Sequence, residues 1–142
     1  MRIGRIAAAT VIASVVASIT DWLFMGMLFH ERYLIHPEVW RGALNESTKI
    51  IHSELIGILA CLGFVLLCTT LRNRTMGAYL TASLLVWLAA AVPMLVQDGV
   101  WMKLDPMVLG AHAAGWLARF AITAIVCGWL LRPAKESETG SA

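Results

Sequence analysis

Asp21, Glu54 and Arg119 are ionisable side chains placed inside long apolar stretches of a 142-residue chain. Burying a charge at the centre of a bilayer costs about 2.5–3.5 kcal/mol even on the lenient insertion scale, so each needs a partner or water. Around them stand His30, His52 and His112, together with Gln97 and Asp98. These residue types support four kinds of chemistry. Carboxylate, imidazole and guanidinium side chains together bind polar ligands, and strung across a membrane they pass protons or ions. A carboxylate beside a histidine does acid–base work. Neutral imidazoles hold a metal ion or a haem iron.

The spacing bears unequally on these chemistries. A haem between facing helices of a bundle takes axial histidines, which here are His52 and His112; a non-haem metal adds Glu54 and Asp98. The chain has no E-x-x-H pair and no C-x-x-C-H, so no cofactor is expected, and haem or metal stands as the alternative. Ser53 adjoins both His52 and Glu54, yet adjacency on a helix is not a triad. No nucleophile-and-base motif is present, which leans away from an enzyme. The polar stripe fades into cysteines, leucines and "AIVCGWLL", so transport requires a homo-oligomer. Cys61, Cys68 and Cys127 all lie in apolar stretches without a C-x-x-C pair and read as small hydrophobes.

Four elements must position these groups. Apolar residues make up 59% of the chain, above the roughly 45–50% of soluble domains. Hydrophobic segments at about 3–29, 50–71, 76–96 and 107–131 each meet the length of about 20 residues that a bilayer needs. The expected fold is an all-α integral membrane protein, a four-helix bundle running up-down-up-down, with residues 1–132 as one domain and 133–142 as a polar tail. The basic start and small residues near Ala17 also fit a signal peptide, but the apolar run continues to Phe29, which favours an uncleaved first span. Asn73 or Thr75 caps the third helix, and Asp105-Pro106 opens the fourth. Pro37 starts a short interfacial helix through "PEVWRGAL" in the first outer loop, and Pro93 bends the third span. Trp22, Trp40, Trp101 and Trp129 suit the headgroup region.

Net charge is only +2, without a basic cluster, which excludes nucleic acid as a partner and leaves the lipid bilayer, a membrane protein or a second copy. Arg2, Arg5, Arg72, Arg74, Arg132 and Lys135 gather at one set of span ends, against Arg32, Arg41, Lys49 and Lys103 at the other. The positive-inside rule then places both termini in the cytoplasm of a bacterial inner membrane.

Small residues at Ala13 and Ala17, Ser14 and Ser18, Gly110 and Ala114, and Ala111 and Gly115 nominate spans one and four as neighbours. At about 1.5 Å per residue, Asp21 lies about 12 Å below the outer boundary and Arg119 about 18 Å, with a side chain long enough to reach back. An Asp21–Arg119 ion pair is therefore expected. It would sit beneath an outward-facing ligand pocket lined by Asp21, His112, Arg119, Gln97 and His30. His112, Arg119 and Thr123 share one helical face. His52 and Glu54 are about 200° apart, so only one of them faces the bundle.

The stretch "DWLFMGMLF", followed by "HPEVWR", resembles small four-span bacterial membrane proteins grouped as a domain of unknown function. Their first helix ends in an aromatic-Gly-Leu-Phe pattern with a tryptophan shortly after. The likeness covers residues 21 to 41, and His30 stands where those proteins carry glycine. It implies a bundle in a bacterial inner membrane and no substrate.

Overall fold

The computed structural model describes residues 2–35 and 45–131. The surface helix expected from Pro37, with Trp40, and the tail from 133 lie outside them. Among the described residues the architecture is all-helical, with four helices long and apolar enough to cross a membrane: Ile3–Leu28, Ser47–Thr70, Met76–Trp101 and Pro106–Leu130. The protein is a four-helix membrane bundle.

The first span is α1 (Arg2–Asp21) continued by a π-helical turn, Trp22–Leu28. The turn closes where the Phe29 N–H donates to the Phe24 carbonyl at 3.0 Å, five residues back. A short helix, α2 (His30–Tyr33), follows directly. The second span is α3 (Glu46–Thr70), whose free N-terminal donors are met by the Asn45 side chain, 2.8 Å from the Thr48 nitrogen.

The third span runs as α4 (Met76–Val86), a π turn (Trp87–Ala91) and α5 (Val92–Trp101). Of the two candidate caps, Thr75 takes the role, accepting from the Ala78 N–H at 3.2 Å. Pro93 explains the π turn: it lacks an N–H and its ring crowds the preceding turn, and the widened turn just before it relieves both. The helix continues past Val96, so Asp98, expected to follow the third span, belongs with Gln97 to α5. The helix runs on through Gly99 and ends at Met102, where the backbone turns extended. The fourth span, α6 (Pro106–Leu130), starts at Asp105, whose carboxylate accepts from the Met107 N–H at 2.7 Å.

Helix α6 is the hub. It packs against α1, α3, α4 and α5, while α1 also packs against α3. Spans one and four are neighbours, as their small residues anticipate. Ala9, Ala13 and Ala17 recur every four residues as a fully buried stripe on α1, and Ala111, Gly115 and Arg119 form the buried stripe on α6. Small side chains let two backbones approach, which is how helices associate in lipid, where the hydrophobic effect no longer drives them together. Toward the end remote from α2 the core is apolar, with Phe64 and Phe120 ring centroids 5.5 Å apart among Cys61, Val65, Cys68, Tyr79, Ala124 and Cys127. Gly128 admits Met76 there, since a Cβ would sit 2.7 Å from its sulfur. The outer surface is apolar, including Val11, Val15 and Ile19 on α1 and Leu55 and Leu59 on α3, as contact with lipid chains requires. Trp101 and Trp129 are exposed at span ends, whereas Trp22, also exposed, lies six residues inside the first span.

Candidate functional site

Asp21 is the last residue of α1, and Arg119 lies midway along α6. The guanidinium donates through Nη2 to the Asp21 carboxylate. Its side chain is 5% exposed, whereas that of Asp21 is 24% exposed. Depth and direction both follow from helix geometry: side chains tilt toward the N-terminus of their helix, so these two reach toward each other from antiparallel spans.

The second span completes the setting. Arg119 Nη1 lies 3.8 Å from Cys61 Sγ, and Thr123 Oγ1 lies 3.6 Å from the same sulfur while donating to the Arg119 carbonyl at 2.8 Å. Gly57 lies beneath the guanidinium; a Cβ there would come within 2.7 Å of Cζ. Gly115, one turn from Arg119, makes room for the carboxylate instead, with a Cβ position 3.4 Å from Asp21 Oδ1. The Trp116 ring approaches from α6 itself, its centroid 5.6 Å from Arg119 Cζ, close enough for a cation–π contact. Three spans thus converge on one cation.

Glu54 belongs to the same cluster. Ser18, one turn before Asp21, donates its hydroxyl to the Glu54 carboxylate, and Glu54 acts electrostatically on Asp21. This settles the choice within span two: Glu54 faces α1, and His52 is exposed, its Nδ1 2.9 Å from the Thr48 carbonyl of its own helix.

Helix α2 covers the cluster. The Tyr33 ring meets His112 edge-on, with centroids 5.6 Å apart, and Arg32 reaches Asp105 at 3.7 Å. Burial, assisted by the negative charge of Asp21, pushes the Tyr33 phenol up to about 12. From the third span, the Trp87 indole donates to the Ala113 carbonyl at 2.8 Å, fixing the π turn to α6 one residue from His112. His112 also feels the carboxylates of Asp21 and Asp98.

Of the residues singled out in the sequence, Asp21, Arg119 and Glu54 therefore gather in one cluster, and His112 lies about two turns from Arg119 toward α2, within electrostatic reach of Asp21. Gln97 and His30 are exposed, and among the described residues no hydrogen bond or ion pair joins them to the cluster. His52, His112, Glu54 and Asp98 do not assemble into a metal-binding group among the described residues. Ser18, expected as a small residue of span one, also donates to Glu54, and Gly57, Tyr33 and Trp87 are additions from the structure. Gly57 falls between Glu54 and Cys61 on one stripe of span two, a position that does not by itself announce a neighbouring guanidinium.

Compared with known protein families, with curated proteins and with solved structures, the chain matches none.

Proposed function

We propose that the chain is a multi-pass protein of a bacterial inner membrane, with both termini cytoplasmic, whose outer half forms a polar site for a small ligand or a membrane-protein partner. It acts as a binding or accessory subunit. The observation that carries this reading is the setting of Arg119. A pair that only fastened two helices needs one donor and one acceptor, each worth on the order of 1 kcal/mol. Here Asp21, Cys61, Trp116 and Gly57 surround the guanidinium, while the Asp21 carboxylate keeps an exposed edge. Preorganised charge with one accessible face suits binding. The location rests on the Arg and Lys asymmetry between span ends and on the likeness of residues 21 to 41 to bacterial four-span proteins.

Haem or metal ligation through His52 and His112 ranks lower, because His52 is turned outward onto its own backbone. Transport by an oligomer would build on the same cluster. The test is native mass spectrometry of the protein released from its expression membrane in mild detergent, beside an absorption spectrum. A stoichiometric adduct or partner lost in Arg119→Gln is expected. A bare chain in every preparation overturns the binding reading, and a Soret band replaces it with haem.

A further inference from the structure

All three cysteines are free thiols and fully buried, yet they stand in two different settings. Cys61 lies beside Arg119 and Thr123 and belongs to the polar cluster. Cys68 and Cys127 lie in the apolar core toward the end remote from α2, where their thiols interact with each other across the packing of α3 against α6. Cys68 is two residues from the end of α3 and Cys127 three from the end of α6. At about 1.5 Å per residue, both sit within about 5 Å of a helix terminus.

The surroundings of the pair are apolar and soft. Val65, Tyr79 and Ala124 belong to the same core, and the Met76 sulfur packs against Gly128, the residue after Cys127. Zinc takes three or four protein ligands and an iron–sulfur cluster takes four cysteines. Among the described residues no three His, Cys, Asp or Glu side chains gather to hold a metal. Copper(I) differs. It is soft, prefers thiolate sulfur, and as a closed-shell ion is satisfied by two sulfurs in a line. Two thiolates around one copper(I) carry a single negative charge, which a buried site must compensate. Arg74 brings a counter-charge to that end of α3, donating to the carbonyl of Thr69, next in the chain to Cys68, at 3.1 Å.

We propose that Cys68 and Cys127 form a two-coordinate site for one copper(I) ion at the end of the bundle remote from α2. Binding breaks two S–H bonds and forms two Cu–S bonds. Both protons leave to solvent and the metal stays copper(I) throughout, so neither oxidant nor reductant is needed. The bound ion ties the second span to the fourth. The site is separate from the outer one, because Cys127 lies eight residues beyond Arg119 on α6, about 12 Å along the helix.

The test is anaerobic titration of the whole protein in mild detergent with copper(I), in competition with a chromophoric copper(I) chelator, followed by copper X-ray absorption of the loaded protein. One copper per chain with two sulfur neighbours is expected. Cys68→Ala and Cys127→Ala each weaken retention by more than about 100-fold, beyond the effect of losing an outer-shell partner. Cys61→Ala keeps the metal. Each variant is taken as the fraction that elutes like the wild type, and the wild-type coordination needs no variant to fold. Zinc offered in the same way is not retained, because two sulfurs leave its tetrahedron incomplete. Failure of the wild type to hold copper(I), a first shell other than two sulfurs, or zinc held as tightly each overturns the proposal. So does undiminished retention in either of the first two variants, or loss of metal in Cys61→Ala. A copper adduct that persists in Arg119→Gln belongs to this pair, so the outer binding reading can fail while this one stands, and the reverse.

Discussion

Replacing Arg119 by glutamine removes the one guanidinium on which three spans converge. Asp21 and Glu54 then face each other without a cation, and the cavity beside Gly57 loses its contents. Breaking a buried pair by deleting one partner costs about 3–5 kcal/mol, and Arg119→Gln belongs in that range because its side chain is almost wholly enclosed. Asp21→Asn is milder, about 1–2 kcal/mol, since Glu54 stays within electrostatic reach of the cluster and the asparagine still accepts a hydrogen bond. The double variant carries one carboxylate and no unpaired guanidinium. Its cost falls below the sum of the singles by at least about 1 kcal/mol, as expected for residues in direct contact. The assay is reversible unfolding in mixed SDS micelles followed by tryptophan fluorescence. Additivity within about 0.5 kcal/mol refutes the contact. Greater damage from Asp21→Asn than from Arg119→Gln refutes the role given to Glu54.

Gly57→Ala places a methyl group against the guanidinium and destabilises the bundle by about 1–3 kcal/mol in the same assay. Gly63→Ala, on the same helix with nothing within 4 Å of its Cβ position, is neutral or stabilising by up to about 1 kcal/mol. The Tyr33 phenol ionises near pH 12 in the folded protein against 10.0 for the free group, so the folded state holds the proton longer. Stability from this group is complete below pH 10 and declines as pH rises toward 12; tyrosinate absorbance of the wild type against Tyr33→Phe checks the order. Cysteines introduced by His36→Cys and Asn73→Cys label with a membrane-impermeant maleimide from opposite faces of sealed vesicles. Labelling of both from one face overturns the proposed orientation.

The ion pair was legible because charges inside apolar runs are scarce. Asp21, Glu54 and Arg119 are the charged residues more than three positions inside the expected spans, so counting residues from each span end left few ways to pair them. The choice between His52 and Glu54 was not legible, because a helix presents both and only the packing of α1 against α3 selects one. Gly57 is silent for a related reason: in an apolar helix, a glycine that makes room for a guanidinium reads like one that packs two backbones. Asp98 reads as following the third span because a charge marks the end of an apolar run, whereas the helical backbone continues through Gly99 to Trp101. The π turn ahead of Pro93 has a cause in the sequence. The one at Trp22–Leu28 has none that we can name.

Because α6 is the hub of the packing, the order of synthesis runs against the order of dependence. The ribosome delivers Asp21 first, Glu54 next and Arg119 after both. Between the synthesis of Glu54 and that of Arg119 the nascent bundle holds two acidic side chains with no counter-ion from the fourth span. Unfinished chains are thereby distinguished chemically from finished ones, and arrival of the last helix completes their folding.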